Sequence, residues 1–399
     1  MRLDGPASDG ASVGREVSGR AVFCDGGLPG EAVRVELSEE RKRFARGHVV
    51  EVLEAHNDRI VPTCPTHAAG CGGCDLGHAS PHLQYEMKRQ IVADALVRIG
   101  RMDASLVRTL MEGSFNGDAT IGAAGYRTTV RAAFSNGRAG YRKRSSHDVV
   151  LPIACGVVHP LVEEMLLLGR FPKESRGEVV LRASAATGER IAVVAGSADL
   201  VELPSDVTVV SRDELQAGRK VSLSEHAAMR SWQVSAESFF QAGPTVATAL
   251  VEAVQAAAGP TGNLKIVDAY AGIGLFGGTI GAHARQIISL EQSRSSTEDA
   301  RVNLVGLPAS IIEGSVEDWQ TVPADLVIAD PARRGLQAAG VAALDRCRAP
   351  RFVLVSCDTG SLGRDVGLLT ACGYEVDSVR VINAFPDTSH IETVVGLTR

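Results

Sequence analysis

The sequence has few aromatic side chains (4%) and no apolar run long enough to cross a membrane as a helix. Its first ten residues are polar and acidic, and they lack the apolar core of a secretory signal peptide. The net charge of −6 gives no overall excess of cations, which argues against a general nucleic-acid binder. We therefore expect a cytoplasmic protein with no membrane attachment and no obligate protein partner.

The 399 residues suit two or three domains, and a composition of 45% hydrophobic and 22% charged residues is ordinary for a globular protein. Cationic side chains are grouped in the stretches 41–46, 138–144, 333–334 and 346–351. Each group is either solvated surface charge or a contact for an acidic partner, and the residues alone leave both open. Eight cysteines in a reducing compartment favour metal, redox or catalytic roles over structural disulfides.

Three patterns along the chain predict three domains. Residues 1–60 contain short β-rich runs, which a small β-barrel would close with few exposed edges. Residues 61–235 hold a cysteine segment, a helix that follows Ser80-Pro81, and then mixed strands and helices, which predict a central α+β domain. In residues 236–399 apolar strands alternate with helices, the pattern of a Rossmann-like, doubly wound α/β sheet.

Four of the cysteines form one pattern: Cys64, Cys71 and Cys74 are close together, and Cys155 stands alone downstream. The glycines at 72–73 allow a tight turn in which two thiolates face one metal centre. Four thiolates with one distant member suit an iron–sulfur cluster. Nearby histidines could instead complete a zinc site, and these are His67, His78 and His82. The residues alone leave both sites open.

A predicted strand leads into a glycine turn at residues 270–277, where Gly272 and Gly274 let the backbone approach a ligand. Leu-Phe-Gly-Gly follows, so the turn is not a dinucleotide fingerprint. Glu291 ends the second strand, where a carboxylate can bind both hydroxyls of a ribose. Asp330 follows the fourth strand toward the same crevice. These residues suit an adenosine cofactor such as S-adenosylmethionine, and the alternatives are a plain strand–helix connection and a surface turn.

Cys357 follows the apolar run 352–356, which places its thiol at the mouth of the predicted crevice. A thiolate there could attack an electrophilic carbon, and a helix that starts after Asp358 could lower its pKa. The alternative is a small buried apolar side chain, which we also expect for the three other cysteines: Cys24, Cys347 and Cys372. Glu392 opens the last strand and becomes a catalytic candidate only if that strand neighbours the strand that precedes Cys357.

The order of these motifs resembles that of the RNA uridine-5-methyltransferase family, whose members use S-adenosylmethionine to form 5-methyluridine in tRNA or 23S ribosomal RNA. The similarity covers nearly the whole chain. Residues 19–59 resemble the family's OB-like TRAM domain, which implies RNA as the partner. The cysteine segment resembles the family's at further positions: His78, Gln84, Tyr85 and Lys88. The resemblance implies a 4Fe-4S cluster, whose ligands would be Cys64, Cys71, Cys74 and Cys155.

Residues 237–241 resemble the segment that precedes the family's methyltransferase domain. Together with the glycine turn, the resemblance implies a cofactor-binding set: Gln241, Tyr270, Gly272, Glu291 and Asp330. It also implies that Cys357 attacks uracil C6 and forms a covalent adduct, and that Glu392 in the closing motif is the general base.

The chain departs from the family pattern at three places. Gly243 replaces the usual asparagine, Ala332 replaces a second proline after Asp-Pro, and residues 358–360 replace Asn-Pro-Ala after the nucleophile. These departures leave two alternatives open. One is a catalytically inactive iron–sulfur protein that binds RNA, and the other is a methyltransferase that acts on another substrate.

Overall fold

The computed structural model describes residues 1–114, 121–122, 124–144, 146–173 and 176–399. Within these ranges, no helix combines the length and the apolar composition that crossing a membrane requires.

The N-terminal part is a five-stranded sheet with the order β1-β2-β3-β5-β4. Its strands are β1 (Leu3–Pro6), β2 (Ser12–Arg15), β3 (Ala21–Asp25), β4 (Ala32–Glu40) and β5 (Phe44–Glu54). A bridge between Arg2 and Ala32 joins the two edge strands, so the sheet closes on itself. Its small core is formed by Leu3, Val22, Cys24, Val33 and Ala45. The predicted small barrel is confirmed, and closure removes the unpaired edges that a five-stranded sheet would otherwise expose.

Three helices follow the barrel: α1 (Pro65–Ala68), α2 (Pro81–Arg98) and α3 (Ala104–Ser114). Helix α2 begins as its sequence predicts, because Ser80 Oγ accepts a hydrogen bond from Leu83 N (3.2 Å) and Pro81 occupies the first turn. Its buried face includes Ile91 and Val92, which join the apolar core of the C-terminal sheet. The cysteine segment is therefore connected directly to a helix that packs on the C-terminal part of the chain.

The central part is built on a six-stranded sheet with the order β11-β10-β9-β6-β7-β8. Its elements in chain order are β6 (Thr129–Ser135), β7 (Arg138–Arg142), β8 (Val149–Val150), α4 (Pro160–Leu168), β9 (Gly177–Ala183), β10 (Arg190–Val194), β11 (Val207–Ser211), α5 (Arg212–Gln216), β12 (Ser222–Ala227) and β13 (Arg230–Ser235). Strands β9 and β10 are neighbours in the chain and pair antiparallel as a hairpin. Strands β12 and β13 form a separate hairpin that packs against the C-terminal part through Trp232 and Val234.

The C-terminal part is a seven-stranded sheet with the order β16-β15-β14-β17-β18-β20-β19. Its elements in chain order are α6 (Pro244–Ala258), β14 (Lys265–Ala269), α7 (Leu275–Thr279), β15 (Gln286–Glu291), α8 (Arg294–Asn303), β16 (Ala309–Glu313), β17 (Leu326–Ala329), α9 (Gln337–Asp345), β18 (Arg351–Ser356), α10 (Thr359–Ala371), β19 (Glu375–Ile382) and β20 (Glu392–Thr398). Five strands are parallel, and the two apolar cores lie on opposite faces of the sheet. This is the predicted doubly wound α/β architecture.

Two features of this sheet locate the site. The strand order runs outward in both directions from the β14–β17 pair, and ligands in such sheets bind beyond the carboxyl ends of the strands at that point. Strand β20 lies between β18 and β19 and is antiparallel to both, with Ser356 opposite Thr393. The beginning of β20 therefore lies beside the end of β18, so Glu392 and Cys357 meet at the same edge.

Candidate active site

A cavity of about 630 Å³ opens at this edge of the sheet. The structure brings together every residue that the sequence predicted for the cofactor and for catalysis. The lining includes Gln241, Tyr270, Gly272, Glu291, Asp330, Cys357 and Glu392. The residues come from segments that span more than 150 positions of the chain, and the carboxyl ends of β14, β15, β17 and β18 position most of them.

The glycine turn after β14 has a left-handed backbone that explains its residue types. Gly272 and Gly274 have φ values of 56° and 88°, a region that side chains other than glycine rarely adopt. Tyr270 also has a positive φ (59°), which directs its ring into the cavity lining, and its hydroxyl lies 3.2 Å from Glu317 Oε1. The amide of Gly277 donates to Asp268 Oδ2 (2.7 Å), which fixes the turn against the end of β14.

Glu291 closes the turn from the neighbouring strand. The backbone amides of Gly272 (2.9 Å) and Ser293 (2.7 Å) donate to its two carboxylate oxygens, Oε2 and Oε1. These bonds hold the carboxylate in one orientation while each oxygen keeps a second lone pair for a ligand. Such a fixed carboxylate at the end of the second strand is suited to binding the hydroxyl groups of a ribose.

Gln241 and Asp330 are hydrogen-bonded in the cavity lining, where Gln241 Nε2 donates to Asp330 Oδ2 (3.3 Å). Burial raises the pKa of Asp330 to about 7, although the hydrogen bond from Gln241 opposes the shift. A carboxylate in this setting favours a cation beside it, because positive charge would offset the cost of its burial.

Cys357 lies immediately after β18, and its side chain lines the cavity. Burial raises the pKa of its thiol to about 12, and the carboxyl groups of Glu392 and Asp330 raise it further. The expectation that the start of α10 lowers this pKa is therefore wrong, since loss of hydration outweighs the partial charge of the helix. At neutral pH the free thiol is protonated and needs a base before it can act as a nucleophile.

Glu392 is buried at the start of β20, and so it is not a solvated strand-end residue. Burial raises the pKa of its carboxyl group well above 4.5, and the charge of Asp330 adds to that shift. From the sequence, Glu392 is a catalytic candidate only if its strand neighbours the strand that precedes Cys357. This holds in the structure, because β20 pairs with β18. A carboxyl group with a raised pKa next to a thiol is an arrangement suited to proton transfer near neutral pH.

Arg333 is a site residue that sequence reasoning named only as part of a basic stretch. It lines the cavity, and its positive charge lowers the pKa of both Cys357 and Glu392, against the effect of burial. Its guanidinium lies 3.5 Å from His390 Nε2. Its position three residues after Asp330, at the carboxyl end of β17, is the signal that could have identified it.

Two arginines of the central part also reach this cavity and were missed. Arg182 on β9 is buried and donates to the carbonyl oxygens of Ser235 (2.9 Å) and Ser238 (2.7 Å). Arg127 lies over the ring of Phe385, 6.0 Å from its centroid. No spacing in the sequence connects these residues to the site, because they come from the central part of the chain, Arg182 on β9 and Arg127 just before β6.

The four predicted cluster cysteines lie close enough to influence one another. Burial raises the pKa values of Cys71 and Cys74, in the second case to about 12, and the other members of the set, among them Cys64 and Cys155, add to both shifts. Cys64 Sγ lies 3.4 Å from the carbonyl oxygen of Ala154, which joins α1 to the segment that carries Cys155. The fold thus places the distant fourth cysteine with the other three.

These four thiols lie near one another without forming a preformed metal site, because within the described residues no group of three or more acidic, histidine or cysteine side chains is arranged to hold a metal ion. His78 is buried, and burial lowers its pKa to about 4, with Arg59 as the next cause. His82 is exposed on α2.

The three remaining cysteines outside the site differ in burial. Cys24 and Cys347 are buried as expected, but Cys372 is exposed, so its expected burial is wrong.

The chain is similar to known proteins over nearly its full length. Residues 2–50 match the TRAM domain. Uncharacterized RNA methyltransferases of Corynebacterium glutamicum and Streptomyces coelicolor are each 32% identical to the chain over 98% of its length, and the matches cover 94% and 91% of those proteins. The fold matches the crystal structure of the Pyrococcus abyssi tRNA (uracil-54, C5)-methyltransferase in complex with S-adenosyl-L-homocysteine. That match has a TM-score of 0.75 and 20% identity, and it covers 100% of both chains. The chain therefore belongs to the TRAM-containing RNA methyltransferase family.

Proposed function

We propose that the protein methylates C5 of a uridine in tRNA or 23S ribosomal RNA, with S-adenosylmethionine as the methyl donor. The observation that carries the proposal is the meeting of Cys357 and Glu392 in one cavity with the predicted cofactor residues. A thiol beside a buried carboxyl group is what addition to and elimination from a pyrimidine ring require. Methyl transfer to a more reactive atom would need no such thiol.

The chemistry follows from the weak nucleophilicity of uracil C5. Loss of the Cys357 proton to a base, followed by attack of sulfur on C6, moves the electron pair of the C5–C6 double bond into an enolate. S-adenosylmethionine supplies an electrophilic methyl group, which C5 takes, and S-adenosylhomocysteine is the product. Glu392 then accepts the remaining C5 proton, the C5–C6 double bond re-forms, and the C6–S bond breaks to release Cys357. The net result is one methyl group gained and one proton released.

A cation in the cavity would favour this sequence of steps. Burial disfavours the charged forms of both Glu392 and Cys357, and it raises the pKa of each. Positive charge beside Asp330 and Glu392 would lower the pKa of both carboxyl groups, which makes Glu392 available as a base. The positive charge of Arg333 already lowers the pKa of Glu392 in this way.

The target uridine has to leave its base stack to reach a cavity of this kind. Phe239 at the cavity lining is 68% exposed, which leaves an aromatic face free for stacking with a base. Arg127 and Arg333 supply cations for the phosphate backbone near the same opening. The TRAM barrel gives a second surface for the RNA.

The experiment that tests this function is the mapping of 5-methyluridine in ribosomal and transfer RNA. We expect at least one uridine to lose its methyl group when the gene is deleted and to regain it when the gene is restored. Purified protein should methylate that position in RNA from the deletion strain. Unchanged 5-methyluridine at every position, together with no methyl transfer to that RNA, would contradict the proposal.

We also propose that Cys64, Cys71, Cys74 and Cys155 hold a 4Fe-4S cluster. The support is an all-sulfur donor set in which a distant cysteine joins three close ones. Such a cluster would crosslink α1 to the Cys155 segment, and methyl transfer requires no net electrons from it.

Cys74→Ala should abolish the brown absorbance of anaerobically purified protein and reduce its iron and acid-labile sulfide content. The physical reason is that loss of one thiolate opens the cluster to solvent and to loss of iron. Cys372→Ala is the matched control, because that thiol is exposed and lies outside the set. Colourless wild-type protein that contains zinc would disprove the assignment.

A further inference from the structure

The loop between β19 and β20, residues 383–391, carries Phe385 and His390 into the cavity and ends at Glu392. Strand pairing fixes its base, because Ile382 lies opposite Glu392. The position of the Glu392 carboxyl group therefore depends on how this loop is held.

Lys88 on α2 holds the start of the loop. Its ammonium group donates to Asn383 Oδ1 (2.6 Å) and to the carbonyl oxygen of Phe385 (2.9 Å). The side chain is fully buried, and both acceptors belong to the loop. These two hydrogen bonds therefore connect α2 to the loop between β19 and β20, which lies almost 300 residues later in the chain.

Gln84, one turn earlier on the same face of α2, holds the middle of the loop. Its Nε2 donates to Asp387 Oδ1 (2.9 Å), and its Oε1 accepts from Asp387 N (2.8 Å). Asp75 holds the end, since its carboxylate accepts from the amide (2.7 Å) and the hydroxyl (2.6 Å) of Ser389. We call Asp75, Gln84 and Lys88 the loop clamp.

The burial of Lys88 is costly, and an apolar side chain would pack at this position at lower cost. Burial lowers the pKa of Lys88 to about 7, which shows the same penalty on its charged form. Asp75 and Asp387 oppose this shift of the Lys88 pKa, but burial remains its largest cause, and the direct acceptors of the ammonium group are an amide oxygen and a backbone oxygen. Because both of these acceptors belong to the loop, the buried ammonium group specifies how the loop is held.

We propose that Lys88, with Gln84 and Asp75, is a positioning residue that fixes the loop at 383–391 so that Glu392 can remove the C5 proton. The inference rests on the proposed function, because it assigns the clamp to one step of that reaction. Cys357 is held separately by β18 and lies outside the clamp. The clamp should therefore affect the step after methyl transfer and leave the attack on C6 intact.

Lys88→Met tests the proposal, because methionine fills the space without a hydrogen-bond donor. We expect kcat to fall by about 10- to 100-fold, the range caused by misplacement of a reacting group by about an ångström. The affinity for S-adenosylmethionine, measured by calorimetry, and the covalent adduct with 5-fluorouridine RNA should match the wild type. With natural RNA and the cofactor, a denaturant-resistant protein–RNA adduct should accumulate, since proton removal is slowed after the bond to Cys357 has formed.

Glu86→Gln is the control, since Glu86 is exposed on the same helix. Gln84→Met repeats the test at the middle of the loop and decides it if Lys88→Met does not fold. Wild-type kcat in a folded clamp variant would overturn the inference. So would a parallel loss of thermal stability, cofactor affinity and fluorouridine adduct, which would show a general structural role. Failure of the proposed function is distinguishable, because the wild-type protein would then form no adduct.

Discussion

Cys357→Ala is expected to abolish methyl transfer and the covalent adduct with 5-fluorouridine RNA. Without sulfur at this position, the described lining of the cavity offers no other thiol to add to C6, and C5 stays too weak a nucleophile to take the methyl group. Loss of a nucleophile of this kind lowers turnover by at least about a thousandfold. The measurement is transfer of a radiolabelled methyl group to RNA, together with denaturing gel electrophoresis of the protein–RNA adduct.

Cys372→Ala is the matched control, because that thiol is exposed at the far end of α10 from Cys357. Cofactor binding should survive in both variants, since Glu291 and Asp330 are untouched. A hydroxyl is a much poorer nucleophile than a thiolate toward C6, so Cys357→Ser should be as inactive as the alanine variant. Substantial turnover by either variant would show that the methyl acceptor needs no covalent activation.

The strands of the C-terminal sheet were predictable because they are buried on both faces. Lys265–Ala269 and Arg351–Ser356 are mostly apolar runs; the first leads into the glycine turn and the second into Cys357, as the sequence predicts. The carboxyl ends of parallel strands share one edge, and for that reason the sequence alone places Glu291 and Asp330 together. The barrel was predictable in outline from the short β-rich runs in residues 1–60, although its first two strands have only four residues each.

The position of β20 could not be derived from a local pattern. Insertion of an antiparallel strand between β18 and β19 depends on pairing between residues such as Ser356 and Thr393, which are far apart in sequence. That pairing turns Glu392 from a strand-end acid into a buried one. Its raised pKa follows from burial and from Asp330, and neither cause can be read from the sequence around it.

Electrostatic balance was the least predictable property of the site. The start of a helix after Asp358 favours a lowered thiol pKa, but burial of Cys357 reverses the direction. The positive charge of Arg333 opposes the effect of burial on the pKa of both Cys357 and Glu392. Arg333 can do so only because the ends of β17 and β18 meet at the same edge of the sheet. Likewise, Lys88 carries no signal of its contact with Phe385, because the contact joins residues almost 300 positions apart.

Glu392→Gln is expected to trap the enzyme on its natural RNA. Glutamine is nearly the same size but cannot accept the C5 proton, so elimination stops after the methyl group has been transferred. Turnover should fall by about 10²- to 10⁴-fold, the usual contribution of a positioned general base. A denaturant-resistant complex should form with unmodified uridine RNA and carry the labelled methyl group, which places the block after methyl transfer.

The neutral amide also removes one of the groups that raise the pKa of Cys357, so attack on C6 should be no slower in this variant. Glu375→Gln is the control, because that carboxyl group is exposed at the other end of β19 from the loop. Normal turnover by Glu392→Gln would assign proton removal to another group. A variant that is inactive without any labelled complex would place Glu392 before methyl transfer, as the base that deprotonates Cys357. The labelled complex therefore separates the two roles that a buried carboxyl group beside a thiol can have.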